Sequence, residues 1–379
     1  MIINYLFAAS KGDIPVSPRE FETPFKVGPS EIHPFLTLGG YFEAIKRFLL
    51  EEQAASLVSL LGKCVSLGDI SQLVIRSEKH GLLYHVASVE LFTSHKQKKF
   101  AVSTAISEKG KEYLNREFEV INYLNDNGNL PYLPKVYFKD EVWCHRENRA
   151  GTLVMSLGEW FEGYHEFHLS YDEKDQKQRV CIWDQKKGHR FVSKLESHEI
   201  YKQSSKILTL YYDFQDFREI HPWHHAAGDF VISSKNGKVD VKLTTARRYQ
   251  PVMTFAKDEK INSLAAIIYF FLNLTIQMRL DKLDGLGAVA WAEDFILPAV
   301  LEGFFSGLRA KDEIGGYALG KVGDLVILFK EFSRAELLRL LHSLMGLHSR
   351  RDPGDFEVIQ SNLAGHARQL YAAIQSFDL

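Results

Sequence analysis

The dipeptide Asn236-Gly237 constrains this chain more than any other pair of residues, because both tolerate positive φ and together they favour the tight turn of a two-strand ribbon. Short β-type runs flank it at 230–234 and 238–243. The first run is entered directly from a polar segment, His221-Pro222-Trp223-His224-His225-Ala226-Ala227-Gly228-Asp229, and a helix is expected before that over 197–214. Beyond 258 the texture is helical, with breaks at 285–287, 315–316 and 351–354. A ribbon with a polar leading edge is thus set within a helical half of the chain.

The first 160 residues read differently. Phe42, Ile45, Phe48, Leu49, Leu57, Leu60 and Leu61 recur at three-and-four spacing with Lys46, Arg47, Glu51 and Glu52 between them, which predicts an amphipathic helix over 41–64. Runs at 72–76, 82–92 and 99–105 predict three consecutive antiparallel strands. Leu114, Phe118, Ile121 and Leu124 then give a helix over 112–125 that Gly128 can stop, and 134–138 with 151–157 give a further strand pair. Prolines 15, 18, 24 and 34 make residues 1–35 an extended arm, and the hydrophilic stretch 171–190, with a hairpin at 185–188, reads as a surface elaboration. The expected division is an arm and amphipathic helix over 1–65, a mainly β unit over 66–160, and a mainly helical unit over 161–379 with a hydrophilic insertion near 171–195. The fold class is α+β.

Composition removes several function classes. Forty-six Lys and Arg against 48 Asp and Glu leave a net charge of -2, so no global basic field exists to hold nucleic acid or an anionic membrane surface. Cys64, Cys144 and Cys181 are widely spaced and form no CxxC pair, which argues against a disulfide framework or a cysteine zinc site and fits a reducing cytoplasm. The first 35 residues show no basic patch leading into an apolar core, so no export signal is expected. The strongest apolar run, 264–276, is about half of the roughly 20 residues needed to cross a bilayer and contains Asn273 and Thr275; a buried helix is expected, with no membrane span.

A small β lobe containing one helix, a link, a helix, a polar loop feeding a ribbon, and then helices is an order that resembles the protein-kinase-like fold, especially its aminoglycoside phosphotransferase and choline kinase branch. The likeness covers about residues 70–308. It implies a two-lobed molecule with a site for a nucleotide or another small ligand in the cleft between lobes. Leu153-Val154-Met155 and Glu159-Trp160-Phe161-Glu162-Gly163 match the last small-lobe strand and the hinge that accepts adenine, so the resemblance makes Met155 and Glu159 cofactor-binding positions. The ribbon sets the register of the catalytic loop: Asp229 falls where the family has a metal-binding Asn, and His224, five residues upstream, where it has the catalytic Asp. In these roles Asp229 would ligate Mg²⁺ through a hard carboxylate oxygen and His224 would accept a hydroxyl proton near neutral pH. A second register, taking Gly228-Asp229-Phe230 as the catalytic triplet, leaves Ser234 at the Asn position and misplaces the turn.

Other positions depart from the family pattern. Its second metal-binding Asp falls on Thr244 or Thr245, its phosphate-binding Lys on Ser103, and its glycine-rich loop on 77–81, which has one glycine; Glu117 or Glu119 remains as the helix partner of the missing Lys. Each lost ligand removes charge that balances a triphosphate. The implied function is a divergent kinase-like protein, a pseudokinase-type binding or regulatory module. The alternatives are an active ATP- and Mg²⁺-dependent phosphotransferase acting on a small hydroxylated metabolite or envelope sugar, and a metal-dependent enzyme.

The last alternative comes from the histidines. His165 and His168, and then His221, His224 and His225 near Asp229, offer imidazole ligands for a two-His, one-carboxylate set, although His165-Glu166-Phe167-His168 lacks the spacing of HExxH. In a strand, His165 and His168 would point to opposite faces.

Overall fold

Alternating apolar residues build the first half of the computed structural model, which describes residues 1–379 apart from 10–11, 28–30, 63–65, 82, 129, 185–186, 222–225, 253–261, 286 and 350–352. The α+β chain divides into two units, Met1–Glu162 and Gly163–Leu379.

The first unit begins with strands β1 (Ile2–Phe7), β2 (Ile14–Pro15), β3 (Pro24–Lys26) and β4 (Ile32–Thr37). Helices α1 (Leu38–Arg47) and α2 (Ala54–Leu61) follow, joined by a π-helical turn at Phe48–Glu52. Next, β5 (Ile70–His80), β6 (His85–Thr93) and β7 (Gln97–Ala105) form an antiparallel meander. Helix α3 (Glu108–Gly128) crosses over, and β8 (Val136–Arg146) and β9 (Arg149–Glu159) complete a sheet ordered β2-β1-β5-β6-β7-β9-β8.

Strand alternation decides which side chains reach which core. Leu153, Met155 and Leu157 of β9 share one hydrophobic core with Phe42, Ile45 and Phe48, whereas Val154, facing the other way, packs with Ala105 and with Leu114 of α3. Fully burying each large side chain of this kind stabilises the fold by roughly 1.5–3 kcal/mol.

The N-terminal residues differ from expectation. They are not a separate arm: β1 runs parallel to β5, from Ile2 against Gln72 to Phe7 against Ser77, and the α1–α2 segment supplies a wall of the core. The prolines are compatible with this because Pro15, Pro24 and Pro34 lie in an edge strand or in the separate two-stranded β3–β4 sheet, where a missing N–H is tolerated. The single helix expected over 41–64 is broken at Gln53, whose φ of -118° and ψ of 25° are not helical.

The second unit opens with a three-stranded antiparallel sheet, β10 (Glu166–Asp172), β11 (Lys177–Trp183) and β12 (Arg190–Phe191). This sheet is more than a surface elaboration, since Phe167, Leu169 and Val180 are buried. The hydrophilic residues that give this stretch its polar character sit mostly in its turns.

Helix α4 (Lys194–Tyr211) starts at a capping box in which the Ser193 hydroxyl accepts from the Glu196 N–H and Glu196 accepts from the Ser193 N–H. Strand β13 (Arg218–Ile220), the one-turn helix α5 (Ala226–Asp229), the ribbon β14 (Phe230–Lys235) and β15 (Lys238–Leu243), and β16 (Tyr249–Pro251) follow, with β13 pairing with β16. The remainder is α6 (Ser263–Gln277), a ribbon of β17 (Leu280–Lys282) and β18 (Val289–Trp291), and helices α7 (Ile296–Glu313), α8 (Val322–Glu331), α9 (Arg334–Ser343), α10 (Met345–His348) and α11 (Pro353–Gln375). The β17–β18 ribbon falls in a region whose sequence reads as helical apart from its breaks, and the break expected at 285–287 lies between its two strands. Helix α6 is a buried core helix, and among the described residues no helix is long and apolar enough to cross a membrane. Cys144 and Cys181 are unbridged.

Candidate functional site

The Asn236-Gly237 ribbon forms as its turn dictates, with φ of 52° and 77° at the two turn residues and pairing from Phe230 opposite Leu243 to Lys235 opposite Lys238. That register fixes what stands at the ribbon's mouth. Asp229 closes α5 one residue before β14, and Thr244 follows β15, so that the Thr244 N–H and hydroxyl both donate to the Asp229 carbonyl, at 2.8 and 2.9 Å.

The Asp229 side chain is buried, at 3% residue exposure. Its carboxylate accepts two hydrogen bonds from Arg247: Nη2 to Oδ1 at 2.8 Å and Nη1 to Oδ2 at 3.1 Å. This is the fork-to-fork arrangement that suits a planar guanidinium and a carboxylate. Thr245 and Ala246, which lie between Thr244 and Arg247, are buried as well. Upstream, the His221 N–H donates to the Arg248 carbonyl at 2.9 Å, extending the β13–β16 pairing toward the loop. His224, the expected base, lies outside the described residues with 222–225, and so does His225.

This mouth does not fit a magnesium ion held as the kinase-like family holds one. Mg²⁺ asks for near-octahedral oxygen ligation and binds through one or two carboxylates. Here both oxygens of Asp229 already face a guanidinium, and the second expected carboxylate is replaced by a threonine, Thr244 or Thr245. What the arrangement can do is neutralise a buried charge and rigidify the ribbon's leading edge. Among the described residues, no group of three or more His, Cys, Asp or Glu is placed to hold a metal ion.

The positions singled out in the first unit fall in different settings. Met155 is fully buried in the core on β9. Glu159 ends that strand, where its N–H donates to the Lys135 carbonyl at 2.7 Å and its carboxylate accepts from the Lys135 N–H at 3.1 Å. Of the two α3 acids, Glu117 is the buried one and accepts from the Tyr84 hydroxyl, while Glu119 pairs with Lys139 at 3.2 Å on the outside. Ser103 sits on β7 between Val86 and Ser156.

An ion-pair cluster near these residues is not anticipated by the sequence pattern. The Arg76 guanidinium donates to Asp13 at 2.5 and 2.8 Å, to Glu90 at 2.9 Å and to the Ser88 hydroxyl at 3.2 Å. Lys99 lies 3.3 Å from Glu90 and 4.4 Å from the centre of the Trp160 ring. Burial alone would raise the Glu90 carboxyl, but Arg76 and Lys99 hold it below the usual range. The one signal that could have found it is alternation, since Arg76, Ser88, Glu90 and Lys99 occupy positions of neighbouring strands that face one way.

The histidines of the other group are paired with acids rather than with each other. His165 Nε2 lies 3.5 Å from Asp184 Oδ2. His168, on β10, has Nδ1 3.4 Å from Asp281 Oδ1 and Nε2 3.9 Å from Glu166 Oε2, with Trp183 packed on its ring. Asp281 also accepts from the Leu169 and Lys282 N–H groups, at 2.6 and 2.7 Å. Burial would depress the His168 imidazole, but the hydrogen bonds to Asp281 and Glu166 push it up to about 9.

No protein-family model matches the chain, and a search of curated proteins finds no significant relative.

Proposed function

We propose that this protein is a divergent kinase-like molecule that acts as a binding or regulatory module, taking a nucleotide or related small ligand without a divalent metal. The order of elements supports the kinase-like part of the reading. A three-strand meander, a crossover helix and a strand pair make the small β unit, and a helix, a polar loop and the ribbon with its helical remainder follow in the second. The observation that carries the regulatory part is the bidentate contact of Arg247 on Asp229, which commits the carboxylate on which Mg²⁺-dependent phosphoryl transfer would depend. Ser103, at the position of the phosphate-binding Lys, and Thr244 or Thr245, at that of the second metal ligand, favour the same conclusion.

Thermal melting with ADP and ATP, each in EDTA and in Mg²⁺, tests this. A ligand that binds only the native state raises apparent stability with the logarithm of its concentration over Kd. Nucleotide is expected to raise the melting temperature equally in both buffers, without phosphate release. A shift that requires Mg²⁺, accompanied by ATP turnover that Asp229→Ala abolishes, would overturn the proposal in favour of an active phosphotransferase.

A further inference from the structure

We infer that Arg247 stands in the metal's place: its guanidinium is a tethered cation that satisfies Asp229 and thereby excludes a divalent ion from the ribbon mouth. This inference rests on the kinase-like reading for the expectation that a metal belongs there, and on the ion pair for what replaces it.

Three observations converge on it. The contact is bidentate, at 2.8 and 3.1 Å, so the guanidinium addresses both carboxylate oxygens. The pair is well buried, with side-chain exposures of 4% for Asp229 and 13% for Arg247, where screening by solvent is weak and a second, divalent cation would feel strong repulsion. The backbone around it is also fixed. The Asp229 carbonyl is bonded by Thr244, and Arg247 stands three residues further on, in the short link between β15 and β16. Loss of the second acid alone would leave a vacant, weakened metal site. Supplying a cation from the chain makes the site independent of metal and keeps its net charge near zero whatever the cation concentration.

The test is Mn²⁺ binding by the full chain, read from the loss of the free-ion EPR signal, in wild type, Arg247→Lys, Arg247→Gln, Asp229→Ala and the Asp229→Ala/Arg247→Gln double variant. Wild type and Arg247→Lys, both keeping a cation, are expected to take up no Mn²⁺ at this site. Arg247→Gln is expected to bind one Mn²⁺ at least on the order of tenfold more tightly than any residual binding by wild type, since a neighbouring positive charge has been removed, and the double variant to lose that gain. Circular dichroism establishes that each variant is folded; if Arg247→Gln is not, Arg247→Met, which keeps the apolar stem, takes its place.

A folded charge-removing variant that binds Mn²⁺ no better than wild type overturns the inference, as does wild-type binding that Asp229→Ala abolishes. Nucleotide melting shifts run on the same variants separate this from the functional reading. A nucleotide shift without the Mn²⁺ gain removes the role given to Arg247 and leaves the kinase-like reading standing. A Mn²⁺ gain with no nucleotide shift in any variant removes that reading and leaves the role of Arg247 in place.

Discussion

His168 and Asp281 meet across 113 residues of sequence, Nδ1 to Oδ1 at 3.4 Å, and bind β10 to the β17–β18 ribbon within the second unit. Asp281 is fixed from the backbone side by Leu169 and Lys282, so the imidazole meets a preoriented carboxylate. Gly285, at φ 71°, passes so close that a Cβ there would sit 3.0 Å from His168 Nε2. This glycine is therefore needed both for its backbone conformation and for the space it leaves.

Stability should fall as pH rises through the titration of His168. Its folded value, about 9, is above the value near 6.5 of an unfolded chain. The contribution is therefore fully present below about 6.5 and disappears as pH rises through about 9, amounting to on the order of 3 kcal/mol. Urea unfolding at pH 6, 7.5 and 9.5 checks this against His168→Asn. The stability advantage of wild type over the variant is expected to shrink across that window, and an unchanged difference would mean that His168 is not held protonated.

The pieces of this fold that show in the sequence are those governed by local rules. Runs of β-favouring residues mark β5, β6, β7 and β9, and the Asn236-Gly237 turn fixes the ribbon register closely enough to single out Asp229 from the order of residues alone. The partner of that residue is harder to see. Arg247 lies 18 positions away, beyond the end of the ribbon, and an arginine in a polar stretch reads equally well as solvent-facing. The same holds for Arg76 and Glu90, each of which resembles an ordinary exposed strand residue until the sheet aligns them. The parallel pairing of β1 with β5 leaves no local signature either, because it depends on a chain return through two helices.

A second buried histidine should give the opposite acid behaviour. His366 is fully buried, with Nδ1 3.3 Å from Arg279 Nη1 and Nε2 3.1 Å from Thr275 Oγ1. A guanidinium only donates, so Nδ1 is the acceptor and the ring proton sits on Nε2, directed at the Thr275 oxygen, whose own hydrogen goes to the Leu272 carbonyl at 2.8 Å. Burial, reinforced by the Arg279 charge, drives the imidazole down to about 3. The unfolded chain takes up a proton near 6.5 that the native state refuses, so stability is lost as pH falls below that value, by up to about 1.4 kcal/mol per pH unit. His366→Gln keeps an acceptor for Arg279 and a donor for Thr275 while removing the titration. Its stability relative to wild type, from urea unfolding at pH 7, 6 and 5, should rise steadily as pH falls; a constant offset would contradict a neutral His366.

Helix α7 approaches α4 through two glycines, and substitutions there should contrast sharply with those at glycines elsewhere. A Cβ on Gly303 would stand 2.1 Å from the Lys202 carbonyl oxygen and 2.8 Å from Ser205 Cβ, and one on Gly307 would stand 2.7 Å from Thr209 Cβ. These clashes involve backbone and β-carbons, which cannot rotate away, and the close approach also allows the Ser205 hydroxyl to donate to the Val300 carbonyl at 2.7 Å. Gly365, inside α11, has nothing within 4 Å of the same added atom. Gly303→Ala is therefore expected to destabilise the protein by about 2–3 kcal/mol through helix separation, despite the better helix propensity of alanine. Gly365→Ala should stabilise by roughly 0.5–1 kcal/mol, because the propensity gain acts there without opposition. Urea midpoints of the two variants at unchanged slope measure both effects, and a Gly303→Ala protein as stable as wild type would show that the α4–α7 contact is looser than these distances require.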